Sequence, residues 1–164
     1  MKKYITKYEW RWASIITILS LLWTAFEFEM GWHSHDIDSH KYFTFFFLFF
    51  LTLGYYLFFL DKRGNRFKKR FKFRHAFYSG LGLTVLIALF SIPTQLFVHY
   101  FVTPDYLINA KDYAITSGEL TSQQAGKVFK LTNFVLFFPI VYILYGILIS
   151  AVFASLLQRS NRKK

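Results

Sequence analysis

Tyr42–Leu60 (YFTFFFLFFLTLGYYLFFL) runs for 19 residues without a charge, and no other stretch restricts the fold as strongly. About 20 residues at 1.5 Å per residue cross a roughly 30 Å hydrocarbon layer, so an uncharged run of this length reads as a membrane-spanning helix. Hydrophobic residues make up 54% of the chain and Phe alone contributes 22. They come as long runs between charged knots, not as the one-sided stripes of a soluble fold. Three further runs qualify, giving spans at about 12–32, 42–60, 76–101 and 131–157. The expected fold is all-α: a single-domain integral membrane four-helix bundle with an extracytoplasmic helical segment between the third and fourth spans. Lys2, Lys3, Lys7 and Arg11 ahead of an apolar run could mark a signal peptide. No small-x-small cleavage site follows, and FEFEMGW continues instead, so the first span is read as uncleaved. Trp10, Trp12 and Trp32 would then sit at its two interfaces.

The densest charge lies directly after Leu60. Asp61–Arg74 (DKRGNRFKKRFKFR) holds eight of the 20 basic residues. Basic residues interleaved with Phe, and a net charge of +11, resemble a nucleic-acid surface. Membrane topology accounts for them better. With the spans as drawn, the N-terminal lead, the basic loop 61–75 and the C-terminal tail share one side, and 16 basic residues lie there. The other side keeps Lys41, Lys111, Lys127 and Lys130, together with seven of the nine acids. Lys and Arg are retained on the cytoplasmic side, so both termini are expected inside, in a cytoplasmic membrane, and no nucleic-acid partner is needed. The absence of cysteine excludes disulfides and thiolate chemistry.

Between the spans the residues read as caps and breaks. Pro93 and Pro139 predict kinks in the third and fourth spans. Thr103, Pro104 and Asp105 suit a helix start in the outer loop 103–130, with Tyr106, Ala110 and Tyr113 on one face and Gly118 as its stop. Thr121 and Gln124 have capping-box spacing, and the helix they open is expected to run unbroken into the fourth span.

Helix association in lipid favours small and polar residues at helical spacing. The first span offers Ser14, Thr17, Ser20, Thr24 and Glu27; the third offers Gly80, Thr84, Ala88, Ser91, Gln95 and His99; the fourth offers Gly146, Ser150 and Ala154. The second has nothing comparable. Spans one, three and four are therefore expected to pack closely, with the second peripheral. Glu27 lies about 8 Å inside Trp32 at helical rise, where a carboxylate needs a partner. His99 is the first candidate and Lys41 the second, as a register-setting pair or a functional acid.

The outer hairpin 33–41 carries the one constellation that resembles a site. His33, His35, Asp36 and His40 could supply ligands to zinc, copper or nickel, although alternating ligands on a short loop also suit a solvated link between helices. Haem is not expected: His75 and His99 share a helix, about 36 Å apart. No nucleophilic triad, phosphate loop or paired buried acids appear, so neither an enzyme nor a cofactor is expected. Arg66, Lys68, Lys69, Arg70, Lys72 and Arg74 could hold anionic lipid headgroups, with Phe67 and Phe71 dipping into the acyl boundary.

The layout also resembles a known family. A basic lead enters a span ending in Glu29 and Gly31, and a second span with Gly54 runs into the DKRGN loop. Phe73, Ala76, Phe77, Gly80 and Leu81 open the third span, and a Pro-Asp-initiated outer segment precedes the last. This is similar to the domain-of-unknown-function-4199 family of small four-span bacterial membrane proteins. The resemblance implies the fold and the membrane location and transfers no site residue; the histidine-rich hairpin is not part of its pattern. The chain thus reads as a non-enzymatic accessory or scaffold component that docks a larger membrane partner. A sensor or metal-handling protein using the His/Asp hairpin is the alternative.

Overall fold

The structure, a computed structural model, describes residues 5–67 and 71–158, without the side chains of Lys41, Arg66 and Phe67. The expected headgroup contacts of Lys68, Lys69, Arg70 and the Arg66 side chain therefore lie outside the described residues. Lys72 and Arg74 are exposed, with the Arg74 guanidinium 5.8 Å from the centre of the Tyr78 ring.

Six helices follow one another: α1 (Lys7–Glu29), α2 (Ile37–Lys62), α3 (Phe73–Phe97), α4 (Tyr106–Thr116), α5 (Ser122–Val128) and α6 (Leu131–Leu157). π-Helical turns extend α2 at Arg63–Phe67 and α3 at Val98–Val102. α1, α2, α3 and α6 are long and apolar enough to cross a membrane. Phe45, Phe49, Leu144, Leu148 and Leu156 are each more than 60% exposed. In water such a surface would drive association, whereas in a bilayer apolar side chains are what should meet the acyl chains. The chain is a multi-pass, all-helical membrane bundle.

Local chemistry sets the helix ends. Glu9 reaches back to the start of α1, accepting from the Thr6 backbone N–H at 2.8 Å and the Thr6 hydroxyl at 2.6 Å. α1 ends where Gly31 takes φ +78, a conformation that side chains with a Cβ resist. Gly118, also at positive φ, stops α4. Thr121 and Gln124 cap α5 reciprocally: the Thr121 oxygen accepts from the Gln124 N–H at 3.3 Å, and the Gln124 side chain accepts from the Thr121 N–H at 2.9 Å. α5 does not continue into α6 as expected. Phe129 leaves the helical region and Lys130 is extended (φ −78, ψ 132), so α6 starts afresh at Leu131. α4 begins at Tyr106, with Asp105, not Thr103, in the cap position. Its buried face is Leu107, Ala110 and Ala114, so the expected line through Tyr106 and Tyr113 is displaced by about one residue. α3 and α6 both run through their prolines.

The most extensive seam joins α3 to α6, followed by α1 against α3. It is made close by glycine. A Cβ on Gly80 would collide with Ser150 and Phe59, and one on Gly146 would collide with Thr84 and Tyr55. Ser150 and Ala154 are fully buried alongside, so the small-residue ridge of the last span does face its neighbours, as lipid-phase packing requires. Ser14 departs from the expected stripe and is exposed.

The second helix is not peripheral. Leu51, Tyr55, Phe58 and Phe59 are among the most deeply buried side chains of the molecule. The Thr84 hydroxyl donates to the Gly80 carbonyl at 2.9 Å, so the Tyr55 hydroxyl, 2.8 Å away, is the donor to Thr84. Thr52 and Tyr145 join their hydroxyls across α2 and α6. A Tyr55→Phe variant is expected to lose about 1 kcal/mol, the net worth of one buried hydrogen bond, measured by reversible unfolding in mixed micelles.

The end of the bundle where α1 begins is clamped by charge. Lys62 and Glu9, 1% and 0% exposed, form an ion pair between α2 and α1, and the Lys62 ammonium lies 5.4 Å from the centre of the Phe58 ring. Next to it the Asp61 carboxylate accepts from the Trp12 indole at 2.8 Å and from Asn65 at 2.6 Å, with Arg11 at 3.3 Å. Phe71 is fully buried and packs on Phe59 at 6.4 Å. Its expected place at the acyl boundary is therefore corrected: the ring closes the floor of the bundle.

Candidate functional site

At the opposite end, α1 carries its polar stripe into the bundle and finishes it with Glu27, only 4% exposed. The chain must then reverse within seven residues. Met30 and Gly31 close the end of α1 by donating to the carbonyls of Phe26 and Phe28, and the N–H groups of Ser34 and Asp36 both return to the Gly31 carbonyl at 3.0 Å. That compact turn replaces the expected open hairpin, because α2 begins as early as Ile37. His33 stays in the turn while His40 becomes part of α2, and the two rings meet edge-on with centroids 4.9 Å apart.

Both imidazoles face Glu27. His33 Nε2 stands 3.7 Å from Oε2 and His40 Nε2 stands 3.9 Å from Oε1, too far for direct hydrogen bonds. The bond Glu27 does receive comes from the Thr44 hydroxyl, one turn after His40, at 2.7 Å to Oε1. α4 closes the group from outside. The Tyr106 hydroxyl lies 3.3 Å from His40 Nδ1, its ring lies against both imidazoles, and the Asn109 amide donates to the His33 carbonyl at 3.0 Å. Burial, with the Glu27 charge nearby, pushes the Tyr106 phenol up to about 12. It therefore keeps its proton at neutral pH.

These residues open on a cavity of about 80 Å³ walled by Trp23 of α1, Phe47 of α2, and Phe134, Phe138 and Tyr142 of α6. Ser20, Gln95 and Tyr142 also line a smaller space of about 10 Å³ with Thr17, Ser91 and Thr94, extending the polar lining along α1 and α3. The hydroxyls of Ser91 and Thr94 donate to their own helix, to the carbonyls of Ala88 and Phe90, as is usual for polar side chains in lipid-embedded helices.

Several sequence expectations change here. His99 is not the partner of Glu27. The backbone takes up π-helical winding from Val98, and Val98, not His99, turns into the cavity; the His99 ring instead meets Tyr100 at 5.0 Å. His35 and Asp36 are exposed. The His35 ring sits where a Cβ on Gly31 would lie, with its Nδ1 3.2 Å from the Ser34 hydroxyl, and Asp36 occupies the cap position of α2. Among the described residues, the group able to hold a metal ion is Glu27, His33 and His40, whose ligand atoms lie within 4.8 Å of one another. Thr44, Tyr106 and Asn109 were not foreseen as members. Thr44 is four residues after His40, a signal that exists only once that stretch is helix. Tyr106 and Asn109 belong to a segment about 70 residues downstream of the hairpin, and no spacing rule links them to it.

Comparison with curated proteins and with solved structures finds no match. A family model does match, over residues 11–159, nearly the whole chain and all four long helices. With this fold and that match, the chain belongs to the family described as Protein of unknown function (DUF4199).

Proposed function

We propose that this protein is a non-enzymatic accessory component of the cytoplasmic membrane that senses a small cation on its outer side. In this reading both chain ends lie inside, which the 16 basic residues on that side of the spans support. The observation that carries the reading is Glu27, a carboxylate 4% exposed at an apolar boundary. Such a charge costs several kcal/mol unless compensated. It is faced by a hydroxyl and two imidazoles at distances that leave room between them for a positive guest. α4 touches the site twice, through Tyr106 and Asn109, so occupancy that moves either histidine is felt in the outer segment. α4 and α5 also expose Ile108 and Val128, contacts available to a larger membrane partner.

The test is thermal unfolding in mild detergent with Zn²⁺, Ni²⁺ or tetramethylammonium added separately. At least one should raise Tm by roughly 5–10 °C at about 100 times its dissociation constant, the shift that selective binding to the native state confers on a chain of this size. Glu27→Gln should abolish that shift. A wild type that no cation stabilises, or an equal shift in Glu27→Gln, overturns the reading.

A further inference from the structure

Building on that cation-site reading, we infer that the guest is a divalent transition-metal ion of the zinc, nickel or cobalt type, held by Glu27, His33 and His40. The donor set argues for this class. Two imidazole nitrogens and one carboxylate suit borderline divalent ions, whereas magnesium and calcium favour all-oxygen shells. An organic ammonium would use the carboxylate and the aromatic walls and would leave the convergence of two imidazoles on the same carboxylate without purpose.

Spacing agrees. Metal–nitrogen and metal–oxygen bonds of about 2.0–2.1 Å put neighbouring ligand atoms of a tetrahedron about 3.4 Å apart. The 3.7 Å from His33 to Glu27 Oε2 and the 3.9 Å from His40 to Glu27 Oε1 are too long for hydrogen bonds and within about half an ångström of that edge. With one atom taken from each residue the three ligand atoms lie within 4.8 Å of one another, so an ion would draw the widest pair together by side-chain rotation.

The surroundings support ligation unequally. The Tyr106 hydroxyl at His40 Nδ1 leaves Nε2 to face Glu27, the far-side contact that orients a ligating histidine. Thr44 does the same for the carboxylate by holding Oε1. The His33 carbonyl is held by Asn109, yet its Nδ1 is buried with no hydrogen-bond partner among the described residues. Three protein ligands beside a cavity leave at least one coordination position open, unlike the closed four-ligand shell of a structural zinc site. A half-supported, open site releases its ion readily, which is what a sensor requires.

The experiment is equilibrium dialysis of the full-length protein in detergent against Zn²⁺ alone, with metal content read by mass spectrometry. The visible spectrum of the Co²⁺-loaded wild type provides a readout that needs no variant. The expected result is one ion per chain and cobalt bands of a four- or five-coordinate nitrogen/oxygen site. Affinity should fall about 10–100-fold in Tyr106→Phe, a loss typical of ligand-supporting contacts, and further in His33→Ala and His40→Ala. His35→Ala and Asp36→Asn should bind as wild type. Zinc uptake unchanged in His33→Ala and His40→Ala but lost in His35→Ala overturns the inference by placing the ion on the turn surface. An octahedral, weakly absorbing cobalt spectrum with no zinc retained also overturns it. If tetramethylammonium alone stabilises the protein, the metal assignment falls while the cation site stands; if no cation binds, both fall.

Discussion

Replacing Lys62 with Met should destabilise the bundle by about 3–5 kcal/mol, the usual consequence of stripping a buried charge of its partner. Glu9 is fully buried, and in the variant its carboxylate would keep the two Thr6 bonds while losing the ammonium. The Lys62 stem also packs over Phe58, and Met replaces much of that apolar volume, so the deficit reports charge more than packing. The double variant Glu9→Gln/Lys62→Met separates the two. Gln can still accept from the Thr6 N–H in the capping position but carries no charge, so most of the loss should return. Unfolding in mixed micelles at constant detergent checks both. A single variant within about 0.5 kcal/mol of wild type, the range of an ordinary surface change, would mean that α1 and α2 are not joined by this pair.

The second large effect is expected at Gly146. A Cβ there would overlap the Thr84 side chain and the Tyr55 hydroxyl, two groups already committed to each other and to the Gly80 carbonyl. Thr84 is short and cannot swing clear without giving up a bond. Gly146→Ala should therefore cost the upper part of the 1–3 kcal/mol range of overpacked sites, and Gly146→Leu should separate α3 from α6. Gly126 in α5 is the internal comparison, since a Cβ there meets nothing within 4 Å. Gly126→Ala is expected to stabilise slightly, by up to about 1 kcal/mol, because alanine loses less backbone entropy in a helix. Equal effects at the two glycines would contradict a close-packed seam.

How far the sequence anticipated this arrangement depends on the kind of information involved. Run length and charge are properties of a stretch, and from them the four long helices follow; so do the stop at Gly118 and the Thr121 cap, which are local hydrogen-bond and backbone preferences. The ridge of Gly146, Ser150 and Ala154 was also readable, because close backbone approach demands small residues whatever lies opposite. The role of α2 was not readable. Buried Phe58 and Phe59 and exposed Phe45 and Phe49 are the same residue type. With lipid as apolar as the core, hydropathy does not distinguish a helix face turned inward from one turned outward.

The site shows the same division. Sequence established that Glu27 sits in or beside the apolar layer and needs a partner, and that the hairpin holds imidazoles enough for a metal. It assigned Glu27 to His99 because a regular 3.6-residue helix brings His99 onto the face of Gln95. In the structure Val98, three residues after Gln95, takes the cavity-facing place, and the His99 ring lies beside it against Tyr100. It also read His33 to His40 as one loop, whereas the helix start at Ile37 separates His40 from His35 and Asp36 and aims it at His33. By itself, then, the sequence determined an all-helical membrane chain with four long apolar helices, because run length and insertion energy act on each segment alone. The tertiary structure decided which buried charges meet, Lys62 with Glu9 and Glu27 with His33 and His40. Such meetings depend on helix rotation and depth, which packing among several helices sets together.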